Sequence, residues 1–172
     1  GGGKILQMTE RNRSLKLVVI PDSLVGEITK KAKESPRKRF AHPLRRPEDP
    51  VQIILNAIEP ESYLRPHRHP DKSETRFIVQ GKVAVVSFDN QGEIVQTTIM
   101  EKNGRNFVVD TPPGVYDMLI SLEESSVVLA VIQGPYLEET HKQLAPWAPA
   151  EEDYEAGQTY LQSIKEQIQN KL

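Results

Sequence analysis

Between residues 51 and 132 this chain is a succession of short β-forming runs, and that pattern leaves few folds open to it. VQIILNAI, TRFIVQ, KVAVVSF, EIVQTTIM, NFVV, MLISL and SVVLAVI are strand-length and rich in β-branched residues. Turn signals separate them at Gly81, Asp89-Asn90-Gln91-Gly92, Asn103-Gly104 and Pro112-Pro113-Gly114. Strands this short, at this spacing, predict a sandwich or small barrel.

The flanks carry other periods. LKLVVI at 15–20 predicts a short strand ended by Pro21. Asp22 and Ser23 offer N-cap oxygens ahead of Leu24, Val25, Ile28 and Ala32, whose spacing predicts a helix over 22–34. After Tyr136 the texture breaks into the Pro-rich APWAP, expected to lie extended on the barrel with Trp147 as a packing anchor. Leu161, Ile164, Ile168 and Leu172 mark a terminal amphipathic helix. The chain thus divides into an N-terminal strand/helix arm (1–50), a barrel (51–136) and a C-terminal extension with its helix (137–172), one structural domain overall.

With 172 residues, 37% of them hydrophobic, the chain is long enough to bury a sizeable core. The net charge of −2 gives no reason to expect nucleic acid or membrane as a partner. The absence of cysteine excludes disulfides, thiolate metal sites and cysteine nucleophiles. No apolar run reaches the roughly 18 residues a membrane span needs, and together these features fit a cytoplasmic protein. A basic segment over 30–46, ending in Arg45 and Arg46, faces an acidic counterpart that includes Glu138, Glu139, Glu151 and Glu152. The two are expected to pair within one chain or across a dimer.

The chemistry concentrates in PHRHPDKSETRFIVQG, residues 66–81. Side chains alternate along a strand, so His67 and His69 project to one side. Two imidazoles with Glu74 returning on the next strand are the nitrogen and oxygen donors that Zn, Mn, Fe or Ni take. The plainer possibility is a pH-sensitive polar loop. His141 is expected at the surface. There is no Gly-rich phosphate loop, nucleophile elbow or hydrolytic triad.

The spacing His67, His69, Glu74, Gly81, followed by the turn Pro112-Pro113-Gly114, resembles the two sequence motifs of the cupin superfamily. The segments SPRKRFAHPL, DPVQIILNAIEP, YLRPHRHPDKSET, FDNQGE, PPGVYD, QGPY and APWAP are similar to the WbuC-type cupin metalloproteins over roughly residues 35–150. That resemblance implies an all-β jelly-roll barrel (a double-stranded β-helix) with a divalent metal inside. The resemblance leaves the activity open; if the protein is an enzyme, isomerase or oxidoreductase chemistry on a small anionic, carbohydrate-derived ligand is the expected class. A homodimer is the expected assembly.

The departures from the motif sharpen the expectation. Where cupins place a fourth ligand histidine stands Asp117, which would complete a two-His, two-carboxylate set. Two residues after Glu74, on the same strand face, stands Arg76. A buried arginine requires a carboxylate partner, so the alternative is a metal-free pocket organised by an Arg76–Asp117 ion pair. Arg65 shares the facing expected of His67 and His69 and, with Arg76, would make the pocket mouth cationic and suited to an oxyanion. His42, in the segment similar to the family's N-terminal signature, would close over the mouth or carry a proton. Tyr116 should face away from Asp117 as a packing residue.

Overall fold

The computed structural model describes residues 16–172. A first helix, α1 (Asp22–Glu34), precedes nine strands: β1 (Arg39–Pro43), β2 (Val51–Ile58), β3 (His67–Arg68), β4 (Glu74–Gln80), β5 (Lys82–Phe88), β6 (Ile94–Glu101), β7 (Val108–Thr111), β8 (Tyr116–Ser121) and β9 (Ser126–Gln133). The one-turn helix α2 (Glu138–His141), β10 (Gln143–Leu144) and the long helix α3 (Tyr154–Ile168) follow. The strands form two sheets, β1-β2-β9-β4-β7 and β10-β3-β8-β5-β6, with antiparallel neighbours throughout. This is the expected all-β jelly roll with a helix at each end.

Period-two alternation lets each sheet serve two cores. Ile58, Val83, Val85, Met100, Leu119 and Val128 pack between the sheets. The alternate residues Ala84, Val86, Met118 and Ile120 receive Leu161, Ile164 and Ile168 of α3. On the other sheet Leu55, Ala57 and Val127 receive Val25, Ile28 and Ala32 of α1. With both faces covered, β8 is buried at all six of its residues, Tyr116 among the packing residues as expected. The Trp147 ring packs on Phe88 at 5.0 Å and on Tyr116 at 5.7 Å between centroids, pinning the APWAP segment to the barrel.

Three local expectations are corrected. Pro21, in extended conformation, takes the N-cap of α1, so no side-chain oxygen caps it and Asp22 becomes its first residue. Residues 16–20 belong to neither sheet, and Leu15 lies outside the described residues. Leu172 lies beyond α3 and is exposed. No helix among the described residues is long and apolar enough to cross a membrane.

Gly81 joins β4 to β5 with φ at +78°, and a Cβ there would lie 2.7 Å from Ser126 Cα. Gly81→Ala is therefore expected to lower stability by more than about 1 kcal/mol in urea denaturation. A smaller loss would mean that the turn relaxes around a side chain.

Candidate functional site

β3 and the turn after it set His67 and His69, and the β3–β8 pairing puts His67 directly opposite Asp117. On β4, Glu74 and Arg76 are two residues apart and so share the inward face; Glu74 stands opposite Thr111 of β7 and Ile132 of β9. His67, His69, Glu74 and Arg76 converge on a cavity of about 370 Å³ between the sheets. Ile54, Leu119, Ala130 and Ile132 supply apolar wall.

Both imidazoles are anchored to main chain. His67 Nδ1 lies 3.2 Å from the Arg65 carbonyl oxygen, and His69 Nδ1 donates to the His141 carbonyl. With the N–H placed on Nδ1, Nε2 is the atom that would coordinate, the arrangement typical of metal-ligating histidines; on His69 a metal would displace the proton that Nε2 shares with Glu74. His69 Nε2 is 2.8 Å from Glu74 Oε2, close to the roughly 3 Å between neighbouring ligands at right angles on an ion with bonds of about 2.1 Å. One ligand atom each from His67, His69 and Glu74 lies within 4.8 Å of the others. Two imidazoles and one carboxylate are a donor set suited to a divalent transition metal such as Fe(II) or Mn(II).

Asp117 is not part of that cluster. Its Oδ2 accepts from Arg76 Nη1 at 2.6 Å and from Thr111 Oγ1 at 2.7 Å. Arg76 Nη2 also reaches Glu74 Oε1 at 3.0 Å. The guanidinium thus sits between the two carboxylates, and the expected Arg76–Asp117 ion pair coexists with the His67–His69–Glu74 cluster. Asp117, expected as fourth ligand, is here the partner of Arg76. Thr111 escaped sequence reading, although its two-residue spacing from Val109 could have placed it inward.

Burial alone would raise the Glu74 carboxyl, but the Arg76 charge and the His69 hydrogen bond outweigh it and hold that group well below the usual carboxylate range. Burial lowers the Arg76 guanidinium, yet Asp117 and Glu74 more than reverse this. Burial also depresses His67, against the opposing pull of Asp117 and Glu74. His69 is raised: the Glu74 hydrogen bond and charge exceed the effect of burial.

Other expectations shift. Arg65 does not line the cavity; its Nε and Nη2 donate to the Ala145 carbonyl at 3.1 and 2.8 Å. His42 is absent from the lining too. Arg39, Phe40 and Ala41 of the same strand do reach the lining, and Phe40 also packs on the α1 cluster. The cations at the mouth are Arg37, Arg39 and Lys142. His141 is not a free surface residue: its ring stands 4.8 Å from that of His69 and 4.7 Å from that of Tyr136, and it lines the cavity. Burial and the neighbouring His69 push it down to about 4.

The expected pairing of basic and acidic segments occurs within the chain. Glu151 Oε2 accepts from both Arg37 and Arg39, and Arg39 Nη1 also donates to the Tyr63 carbonyl. Burial would raise Glu151, but Arg39 and then Arg37 hold it below its ordinary value. A carboxylate depressed on folding contributes stability that is present above its unfolded value and lost as pH falls through the folded one. The stability deficit of Glu151→Gln is therefore expected to be full at neutral pH and to shrink below about pH 4.3 in urea titrations. A deficit independent of pH would refute the ion pair.

Two oxalate oxidase structures, each bound to glycolate, superpose with TM-scores of 0.51 at 11% identity. They cover 66% and 78% of this chain and 58% and 74% of their own. An engineered variant of oxalate decarboxylase from Bacillus subtilis also aligns at 0.51, with 18% identity, over 63% of this chain and 29% of its own. The fold is a cupin barrel. This cupin barrel thus matches little more than half of the first oxalate oxidase chain. Residues 20–100 match a family described as Domain of unknown function (DUF6016), a span that holds His67, His69, Glu74 and Arg76 but ends before Asp117. No curated protein matches the sequence.

Proposed function

We propose that the barrel is a metal-dependent small-molecule site, with His67, His69 and Glu74 holding one divalent ion (Mn, Fe, Ni or Zn) for a small oxyanion ligand. The observation that carries this reading is the pair of imidazoles fixed through Nδ1 to main-chain carbonyls beside Glu74 Oε2. When bound, the ion supplies Lewis-acid polarisation of a ligand oxygen. Arg76 occupies Glu74 Oε1, so Oε2 is the oxygen left for coordination. Arg76, Glu74 and Asp117 sum to −1; a divalent ion brings the set to +1 and favours an anion. Lys142 and Arg39 add positive charge at the mouth, while the apolar wall limits water.

The chemistry proposed is isomerisation or oxidation of a carbohydrate-derived acid. The solved neighbours bound to glycolate support a carboxylate ligand. We further propose a homodimer, supported by the exposure of Leu17, Val18 and Val19 ahead of α1; light scattering at the monomer mass would contradict it.

Elemental analysis tests the metal reading. Protein reconstituted and then desalted is expected to retain about one equivalent of Mn, Fe, Ni or Zn, and His69→Ala to retain none. No retained metal in the native protein would overturn the proposal.

A further inference from the structure

The cavity between the sheets is one of two spaces that meet at Arg37 and Arg39. A second groove of about 580 Å³ lies on the far side of the same two arginines, walled by Tyr63, Tyr154 and Gln158. A single carboxylate, Glu151, fills the arginine fork between the two spaces. Its Oε2 takes Arg37 Nη2 at 2.8 Å and a short bond from Arg39 Nη2, and its Oε1 lies 3.4 Å from the Arg65 N–H. Glu151 belongs to the extension that leads into α3, not to the barrel. Lys142 stands on the cavity side with no hydrogen-bond or ion-pair partner among the described residues. Two guanidinium groups therefore hold one carboxylate, with Lys142 on the cavity side and Lys38, Glu61 and Glu152 also lining the outer groove, and Arg37 is well exposed.

We infer that the Arg37–Arg39 fork is an oxyanion subsite and that Glu151 stands in it as an internal substitute for the ligand's own phosphate or carboxylate. Paired guanidinium groups give the bidentate geometry that either oxyanion accepts. The fork opens onto both spaces, so a ligand seated there reaches inward to His67, His69 and Glu74 while its remainder lies in the outer groove. The substrate class is then an elongated acid with two polar ends: an oxygen-donor head inside and an anionic group at the fork. The inward half of this assignment rests on the metal reading; the fork does not, and is tested without metal.

The experiment is calorimetric titration of the full chain in EDTA at low ionic strength, with inorganic phosphate and with acetate as separate probes. Removing the competing carboxylate in Glu151→Gln and Glu151→Ala is expected to tighten binding of one probe at least about tenfold. Adding Arg37→Gln to either variant should abolish the gain. A gain with phosphate assigns a phosphate end, and a gain with acetate a carboxylate end. Affinities unchanged from the native protein for both probes, or a gain that survives Arg37→Gln, would overturn the inference and leave Glu151 as a staple for the C-terminal extension. Metal retention measured on the same variants reports separately on the inner site.

Discussion

Arg76→Met is expected to lower folding stability by about 3–5 kcal/mol, measured by urea denaturation in EDTA. Arg76 is 4% exposed and is the counter-charge for both Glu74 and Asp117. Its loss strands two carboxylates among apolar walls, with Thr111 and His69 as their remaining partners. A buried charge without a partner costs far more than a surface ion pair contributes. Asp117→Leu added to Arg76→Met should recover part of the loss, because an apolar pair of similar volume removes the desolvation penalty. Added divalent ion should also stabilise Arg76→Met more than the native protein, since it supplies the missing positive charge beside Glu74. A loss below about 1 kcal/mol would contradict the view of Arg76 as the electrostatic centre of the cavity.

The second large effect separates ligands from their supports. His67→Ala and His69→Ala are each expected to weaken divalent-ion affinity more than about 100-fold, beyond the 10–100-fold that outer-shell partners carry. Asp117→Asn should fall within that outer-shell range, because Asp117 is held by Arg76 and Thr111 and stands outside the His67–His69–Glu74 group. Competition against a chromophoric chelator measures all three. Equal losses in Asp117→Asn and His69→Ala would return Asp117 to the position of a ligand.

Much of this architecture is legible in the residues themselves. VQIILNAI and KVAVVSF coincide with β2 and β5 because β-branched runs bounded by turn residues have a single length at which they pair. Glu74 and Arg76 share a face by period two on β4, whereas His69 follows the end of β3 and is legible through its motif spacing to His67 and Glu74. The Arg76–Asp117 pair follows from the cost of an unpaired buried charge. Arg65 misleads for a physical reason: β3 begins at His67, so strand alternation does not extend back to residue 65. His42 misleads because β1 contributes to the cavity only through Arg39, Phe40 and Ala41, ahead of it in the strand. His141 and Lys142 carry no local signal, and Glu151 is legible only as one member of an acidic segment expected to meet the basic one. They reach the mouth by the return of the C-terminal extension, Glu151 meeting Arg39 across 112 residues of chain.

The most direct test of the central claim is anomalous X-ray diffraction from crystals of metal-reconstituted protein, recorded at the absorption edge of the added ion. The account predicts one peak bonded to Nε2 of His67, Nε2 of His69 and Oε2 of Glu74, with Asp117 still held by Arg76. An ion bonded to Asp117 with Arg76 turned away, or no peak in the cavity, would contradict it.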